Sequence, residues 1–213
     1  MSNPLDQLRD NHSDFSRNQE AFHFTDPFLA FETWFNLAVS SGEKEANAMV
    51  ISTVNEAMKP SSRVVYLKEI ANQQFVFYTN YLSHKGKDLS QNPNASLLFF
   101  WPGLERQIRI EGTVNKISET ESDAYFASRP RESQLGAWAS HQSEPLKEMG
   151  EITQRFKELE QEFPGEVPRP KHWGGMALRP TYLEFWQGQA SRLHERVCFK
   201  LNEDEWQISR LNP

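Results

Sequence analysis

Residues 48–79 read AMVISTVNEAMKPSSRVVYLKEIANQQFVFYT, and their pattern indicates the fold class. Apolar and polar residues alternate over 48–54, 62–69 and 74–79, which predicts three β-strands. Residues 56–60 separate the first two strands with turn-forming residues. Strands this close together along a chain pair as hairpins, so the stretch predicts an antiparallel sheet.

The chain on either side of this stretch adds helices and further strands. Upstream, large apolar side chains recur every three or four positions from Phe28 to Ala38, which predicts a helix with Asp26 as its N-cap and Pro27 in its first turn. Downstream, strands are predicted at 95–101, 107–117, 181–187, 196–201 and 205–211, and helices from Ser83, at 118–127, at 132–139 and at 146–163.

These elements predict one mainly β domain with helices (α+β), an antiparallel barrel with peripheral helices. The domain spans residues 26–213. Residues 1–25 are polar and aperiodic and are interpreted as a mobile N-terminal arm.

Composition and charge exclude several classes of protein. The formal net charge of −6 argues against a general nucleic-acid binder, which needs a basic surface. Cys198 is the only cysteine, so neither an intramolecular disulfide nor a cysteine-based zinc site can form in one chain. The first residues contain no apolar signal core, and the longest apolar runs are too short to span a bilayer, so we expect a cytoplasmic protein with no membrane partner.

Common catalytic motifs are missing from the sequence. There is no nucleophile elbow G-x-S-x-G, no P-loop, no H-E-x-x-H and no G-x-G-x-x-G after a strand. The 15 Phe and 6 Trp are interpreted mostly as core residues, although a few are expected to line a pocket for a flat ligand.

Four segments place basic and hydroxyl side chains beside aromatic residues, as an anion site requires. The candidates are Arg63 and Lys68; Tyr78, Thr79, His84 and Lys85; Tyr125, Arg129, Arg131 and Ser133; and Arg192, His194 and Arg196. For the first three segments, solvated charges, a capped helix and a surface turn are the structural alternatives. In the fourth, the three residues share a parity and would lie on one face of an extended chain, which favours an anion between them.

The tail carries the most specific pattern. Leu183-Glu184-Phe185-Trp186-Gln187, a gap of four residues and Arg192-Leu193-His194-Glu195-Arg196 resemble the signature of the pyridoxamine (pyridoxine) 5'-phosphate oxidase family. The similarity extends from Asp26 to Pro213 and includes RVVYLK, FYTN, LERQ, SRPRESQ-GAW, HQS, PRP--WGG and RLNP. Three differences stand out. His84 and Glu195 replace the usual arginine and aspartate, and His12 in the N-terminal arm stands where a tyrosine is common.

The resemblance implies an FMN-binding split-barrel fold with a Greek-key barrel, a homodimer with FMN in clefts between the subunits, and a C-terminal dimerisation and substrate segment at about 170–213. It implies that FMN oxidises pyridoxamine or pyridoxine 5'-phosphate to pyridoxal 5'-phosphate and that O2 is reduced to hydrogen peroxide. We expect the flavin to carry the redox chemistry and the protein to orient the rings and neutralise two phosphates.

The resemblance also implies roles for individual residues. Those expected at FMN are Arg63, Val64, Lys68, Tyr78, Thr79, His84, Lys85, Gln107, Gln142, Ser143, Trp186 and Arg196. Those expected at the substrate are Lys68, Tyr125, Arg129, Ser133, Arg192 and His194, of which Arg192 and His194 are the catalytic candidates. No metal is expected.

Two alternatives remain open at the level of sequence. One is a related FMN oxidase that acts on another ring system, such as a phenazine precursor. The other is a flavin- or pyridoxal-phosphate-binding protein without turnover. The combination of Lys68, Tyr125, Arg129 and Ser133 favours a phosphorylated substrate, because a ring without phosphate would leave those cations unpaired.

Overall fold

The computed structural model describes residues 15, 22–148 and 150–213. Its strands are β1 Ala48–Val54, β2 Pro60–Tyr66, β3 Glu69–Ala71, β4 Gln74–Asn80, β5 Asn94–Trp101, β6 Arg106–Lys116, β7 Trp173–Gln187, β8 Glu195–Asn202 and β9 Glu205–Arg210. Its helices are α1 Pro27–Ser40, α2 His84–Gln91, α3 Glu119–Ser128, α4 Arg131–Ala139 and α5 Glu151–Glu162. Over the described ranges, no helix is both long enough and apolar enough to cross a membrane.

The strands form one sheet in the order β2-β1-β5-β6-β7-β4-β3, and β8 pairs with β7 and with β9. The β1–β2 hairpin is antiparallel, with Ala48 opposite Tyr66 and Val54 opposite Pro60. The pairs β3–β4, β4–β7, β7–β8 and β8–β9 are antiparallel as well. The mainly β fold class with added helices is therefore confirmed.

The contacts divide the chain into two compact units. The first contains the described residues up to Ala46, together with Leu98–Ile110 and Tyr182–Pro213. The second contains Asn47–Leu97 and Glu111–Thr181. Most of the predicted arm lies outside the described residues, and the organisation as an arm and a single domain stays a prediction.

Aromatic side chains make up much of the core of the first unit. Asp26 caps α1 by accepting hydrogen bonds from the backbone N–H groups of Phe28 and Leu29, each at 2.8 Å. The helix then buries Phe31 and Trp34. Phe31 packs edge-on against Phe99 with ring centroids 5.2 Å apart. The large number of Phe and Trp residues therefore serves mainly for packing here, as expected.

In the second unit, helices α3 and α4 pack over a smaller core. The buried members are Phe126, Leu135, Val167 and Trp173. Helix α3 begins with the predicted capping box, in which Ser118 Oγ accepts from the N–H of Glu121 at 3.1 Å and the Glu121 carboxylate accepts from the N–H of Ser118. The cap fixes where α3 starts and, through it, where Tyr125 and Arg129 lie.

Three element boundaries differ from the prediction by three residues or more. Strand β2 ends at Tyr66, so Lys68 lies between β2 and β3 and not on the strand of Arg63. Strand β7 begins at Trp173, eight residues before the predicted start, although Gly and Pro in this stretch disfavour strands. Helix α5 begins only at Glu151. Met149, expected on that helix, is outside the described residues.

Candidate active site

A cavity of about 610 Å³ opens in the second unit. Strands β2, β4 and β7 and helices α2, α3 and α4 contribute to its walls, together with the α3–α4 junction and the segments that follow β2 and α4. Its lining residues are Val64, Val65, Tyr66, Lys68, Tyr78, Thr79, Asn80, Lys85, Tyr125, Arg129, Pro130, Ser133, Gly136, Ala137, Ser140, Gln142 and Trp173. Nine of the residues predicted at FMN or substrate are therefore brought together.

All charged residues that line the cavity are positive. Lys68, Lys85 and Arg129 are present, and the residues around the cavity include no aspartate or glutamate. Lys85 is buried and Arg129 is half-buried. Such cations without carboxylate partners cost free energy unless an anion joins them. The cavity is therefore suited to anionic groups.

Lys85 follows the first residue of α2 and is buried, with 7% of its surface exposed. Its Nζ donates to Thr79 Oγ1 at 3.0 Å, to Gln142 Oε1 at 2.9 Å and to Ser83 Oγ at 3.3 Å. All three acceptors are uncharged. Burial, and secondarily the positive charge of Arg63, lowers the pKa of Lys85 to about 8.

Arg129 stands at the C-terminal end of α3, where Pro130 separates that helix from α4. Its guanidinium carbon lies 4.5 Å from the centroid of the Trp173 ring, a cation–π contact. Its Nη1 is buried and has no hydrogen-bond partner within the described part of the chain. Burial lowers the pKa of Arg129, although the group stays charged at neutral pH. An unsatisfied guanidinium nitrogen beside a cavity indicates a missing anionic acceptor.

Aromatic rings form one wall of the cavity. Tyr78 and Tyr125 stack with centroids 3.7 Å apart, and Tyr78 stacks on Trp173 at 5.5 Å. Gly175 makes room for this stack, because a Cβ at that position would overlap with Ile117 and approach the Tyr78 ring. Burial raises the pKa of Tyr78 to about 12, so its hydroxyl stays protonated at neutral pH.

Three predicted FMN residues of the second unit do not line the cavity: Arg63, His84 and Ser143. Arg63 Nη1 donates to Thr53 Oγ1 at 2.8 Å, and Thr53 Oγ1 donates to the buried Asp88 at 2.7 Å. His84 Nε2 lies 3.5 Å from the same carboxylate.

The hydrogen bonds and the ion pair around Asp88 were not predicted, because nothing in the sequence pattern relates Thr53 to a residue 35 positions later. Sequence reasoning also assigned no role to Trp173, although the residue belongs to the quoted PRP--WGG motif. Arg131, a candidate for anion binding, instead donates to the backbone carbonyls of Phe163 and Gly165.

The remaining predicted residues belong to the first unit. Gln107 lies on β6, Trp186 on β7 directly opposite Arg196 on β8, and Arg192 and His194 in the connection between β7 and β8.

A buried carboxylate joins β6, β7 and β8 in this unit. Glu184, 2% exposed, accepts from Arg196 Nε at 2.7 Å and from Arg109 Nη2 at 2.6 Å. Burial by itself would raise the pKa of Glu184, but the two arginines outweigh that effect and hold the pKa below its ordinary value. The Tyr182 hydroxyl lies 3.1 Å from this carboxylate and 2.9 Å from Cys198 Sγ.

The parity argument for Arg192, His194 and Arg196 is wrong. The chain is not extended before Glu195, since residues 190–192 form a 3₁₀ turn in which Ser191 and Arg192 have φ of 58° and 60°. Arg196 is neutralised by Glu184 and needs no external anion for that purpose.

Two sequence models of protein families match the chain. One, described as pyridoxamine 5'-phosphate oxidase, matches residues 38–163. The other, described as the C-terminal dimerisation region of pyridoxine 5'-phosphate oxidase, matches residues 173–213.

Relatives and solved structures agree with these matches. A pyridoxine/pyridoxamine 5'-phosphate oxidase from Leptospira biflexa is 50% identical over 99% of this chain and 100% of its own, and one from Microcystis aeruginosa is 54% identical over 88% and 89%. PhzG from Burkholderia lata, solved with tetrahydrophenazine-1-carboxylic acid, superposes with a TM-score of 0.85 at 28% identity over 89% and 94% of the two chains. An FMN-binding protein from Nostoc punctiforme shares the fold, with a TM-score of 0.72 at 18% identity over 90% and 100%.

Proposed function

The chain belongs to the pyridoxamine 5'-phosphate oxidase family, and from this premise we propose that it oxidises pyridoxamine or pyridoxine 5'-phosphate to pyridoxal 5'-phosphate, with FMN as cofactor and O2 as the final electron acceptor. The observation that carries the proposal is the cavity with three cations, no carboxylate and an unsatisfied Arg129 Nη1. Both FMN and the substrate are flat ring systems that carry a phosphate.

The residues around the cavity fit FMN. Lys85 with Thr79 and Gln142 offers a cation and polar groups for a phosphate, and the exposed Val64 offers apolar surface. When bound, FMN supplies the two-electron acceptor that oxidises the carbon bearing the amine or alcohol. Arg63, His84 and Ser143 do not line the cavity, and we propose them as FMN-binding residues on the family resemblance alone.

For the substrate phosphate, we propose Arg129 with Tyr125, Ser133 and Lys68. The contact with Trp173 holds the Arg129 guanidinium, and a phosphate would give Nη1 the acceptor that it lacks. These groups bind and orient the substrate, and they contribute to rate through positioning.

The FMN and substrate contacts predicted for residues of the first unit are part of the proposal. We propose that Gln107, Trp186 and Arg196 contribute to FMN binding, and that Arg192 and His194 contact the substrate. The match to a dimerisation region supports a homodimer. A cytoplasmic location is part of the same proposal.

Colour provides the first test. Purified protein should be yellow, or become yellow with added FMN, and should bleach when pyridoxamine 5'-phosphate is added without oxygen. Admission of oxygen should restore the colour and release hydrogen peroxide. A yellow protein that does not bleach would show that the chain binds flavin without oxidising this substrate. A protein that takes up no FMN would contradict the proposal.

An oxidase of phenazine precursors is the second candidate, because PhzG is a close structural match. The ligand of PhzG carries a carboxylate, which could accept from Arg129 Nη1, but a single carboxylate neutralises less of the positive charge of Lys68 and Arg129 than a phosphate does. Turnover of pyridoxamine 5'-phosphate should therefore exceed that of tetrahydrophenazine-1-carboxylic acid by a wide margin, and the reverse order would favour the second candidate.

A further inference from the structure

A buried hydroxyl group joins strand β1 to helix α2, the helix that carries Lys85. Thr53 on β1 is fully buried, and its Oγ1 donates to Asp88 Oδ2 at 2.7 Å. The same oxygen accepts from Arg63 Nη1 at 2.8 Å. Because a guanidinium can only donate, the hydroxyl proton must point to the carboxylate. Thr53 therefore links a cation on β2 to an anion on α2.

Ser61 makes a second connection between the same two groups. Its Oγ accepts from Arg63 Nη2 at 2.5 Å and donates to Asp88 Oδ2 at 3.4 Å. Asp88 is 2% exposed, and His84 Nε2, one helical turn earlier, lies 3.5 Å from its other oxygen. A buried carboxylate needs such partners because it has lost its contact with water. The Asp88 carboxylate is thus the point at which α2 is attached to the β1–β2 hairpin.

Helix α2 needs this attachment. It has only eight residues, and a helix of that length is not stable by itself in water, so tertiary contacts determine where it lies. Its first turn carries His84 and Lys85 and no acidic residue, which the helix dipole disfavours. Lys85 lies three positions before Asp88 on the same short helix. A shift of Asp88 would therefore move the buried ammonium of Lys85 as well.

We propose that Thr53 is a positioning residue for the FMN phosphate, because its hydroxyl group holds α2, through Asp88, where Lys85 can bind that phosphate. Neither Thr53 nor Asp88 lines the cavity, so neither is expected to touch the cofactor. A side chain that binds a ligand is held in its productive position by hydrogen bonds of this kind behind it. The inference rests on the proposed function for the identity of the ligand.

Riboflavin separates the phosphate from the rest of the cofactor, because it has the same ring and ribityl chain without the phosphate. Thr53→Val keeps the volume of the side chain and removes the hydroxyl group. We expect this variant to weaken FMN binding about tenfold and riboflavin binding less than about twofold, measured by flavin fluorescence. Thr53→Ser keeps the hydroxyl group and should restore most of the FMN affinity. Equal weakening for both flavins, or unchanged FMN affinity, would overturn the inference.

Two further variants distinguish this role from general damage to the hairpin. Ser61→Ala removes the longer of the two bonds to Asp88 at a half-buried position, and it should give a smaller loss that is again specific to FMN. Ser52→Ala removes a neighbouring hydroxyl group that bonds to Ser62 Oγ at 2.8 Å, and it should leave both affinities unchanged. A loss in Ser52→Ala as large as in Thr53→Val would contradict a specific role for Thr53.

A measurement without flavin separates this inference from the proposed function. Lys85 can be titrated by NMR in the ligand-free protein, with its signal assigned as the one that is missing in Lys85→Met. We expect a pKa of about 8 in the wild type and a higher pKa in Thr53→Val, because a displaced α2 would bring the ammonium closer to water. An unchanged pKa would contradict the link between Thr53 and Lys85.

The two hypotheses fail in different ways. If the wild type binds no FMN, the proposed function is wrong, while the titration of Lys85 still tests what Thr53 holds in place. If the wild type binds FMN and Thr53→Val binds it equally well, only the role of Thr53 is wrong.

Discussion

At the scale of single residues, Arg129 shows how a protein can keep a binding group in a costly state. Its Nη1 has no acceptor in the described structure, and its guanidinium rests on the Trp173 ring. Removal of such a group should cost the protein without ligand little stability. It should cost the complex with an anion much of its binding free energy.

We therefore expect Arg129→Met to raise the KM for pyridoxamine 5'-phosphate about ten- to hundredfold, which corresponds to a charged hydrogen bond of about 1.5–3 kcal/mol. The free energy of unfolding without ligand should change by less than about 1 kcal/mol. Steady-state kinetics and urea unfolding provide the measurements. The matched control is Arg131→Met, two positions away, which should leave KM unchanged because Arg131 contacts backbone carbonyls. A similar rise in KM for both variants would contradict the role of Arg129.

Lys85 gives a prediction on pH. Burial lowers the pKa of Lys85 to about 8, so the ammonium loses its proton as the pH rises through that value. Affinity for FMN should be nearly constant between about pH 7 and 8, above the second phosphate pKa of about 6. It should fall by up to about tenfold per pH unit above pH 8, since the neutral amine attracts a phosphate poorly. Titration of FMN fluorescence at several pH values measures this. Lys85→Met should bind more weakly at pH 7 and show a flat profile, and an unchanged slope in the variant would assign the effect to another group.

At the scale of secondary structure elements, the β7–β8 hairpin depends on one carboxylate. Glu184 accepts from arginines on β6 and β8 and is almost fully buried. Removal of one partner of a buried ion pair costs more than the pair contributes, because it leaves the other charges uncompensated.

Glu184→Gln should therefore lower the free energy of unfolding by about 1–3 kcal/mol at pH 7, less than for a fully buried pair because both arginines are partly exposed. The pKa of Glu184 is lowered in the folded state, so its contribution is present above the unfolded pKa, about 4.3, and is lost as the pH falls through the folded value. The difference between wild type and variant should shrink below pH 4. Urea unfolding at pH 7 and at lower pH measures this, with the exposed Glu205→Gln as control. A difference that does not change with pH would contradict the electrostatic explanation.

The elements also show where sequence reasoning succeeds. The capping box of Ser118 and Glu121 and the Asp26 cap of α1 are local patterns, and both were predicted and confirmed. The first half of β7 was missed, because Gly174, Gly175 and Pro180 disfavour strands. In the fold, Gly174 and Gly175 are required where Tyr81 and Ile117 approach too closely for a Cβ. Tertiary packing here overrides local propensity.

The site was predicted through family resemblance more than through spacing. No periodicity brings Lys68, Lys85 and Arg129 to one cavity, because the segment after β2, helix α2 and the end of α3 are distant in sequence. The ion pair of Arg196 with Glu184 could not be predicted from the sequence either, because it depends on the register of β7 and β8. That register places Trp186 opposite Arg196 and Glu184 opposite Cys198.

At the scale of the whole molecule, the match to a dimerisation region predicts assembly. Light scattering after size-exclusion chromatography should give a mass near twice 24.8 kDa. If folding and association are linked, the melting temperature should rise with protein concentration. A monomer mass with a melting temperature independent of concentration would contradict the homodimer.

The surroundings of Cys198 have a practical consequence. The only thiol of the chain is 2% exposed and lies 2.9 Å from the Tyr182 hydroxyl, and burial raises its pKa. Maleimide reagents attack the thiolate form of accessible cysteines, so this one should react slowly in the folded protein. A cysteine introduced on the surface could then carry a spin label or a fluorophore alone, without mutation of the native residue.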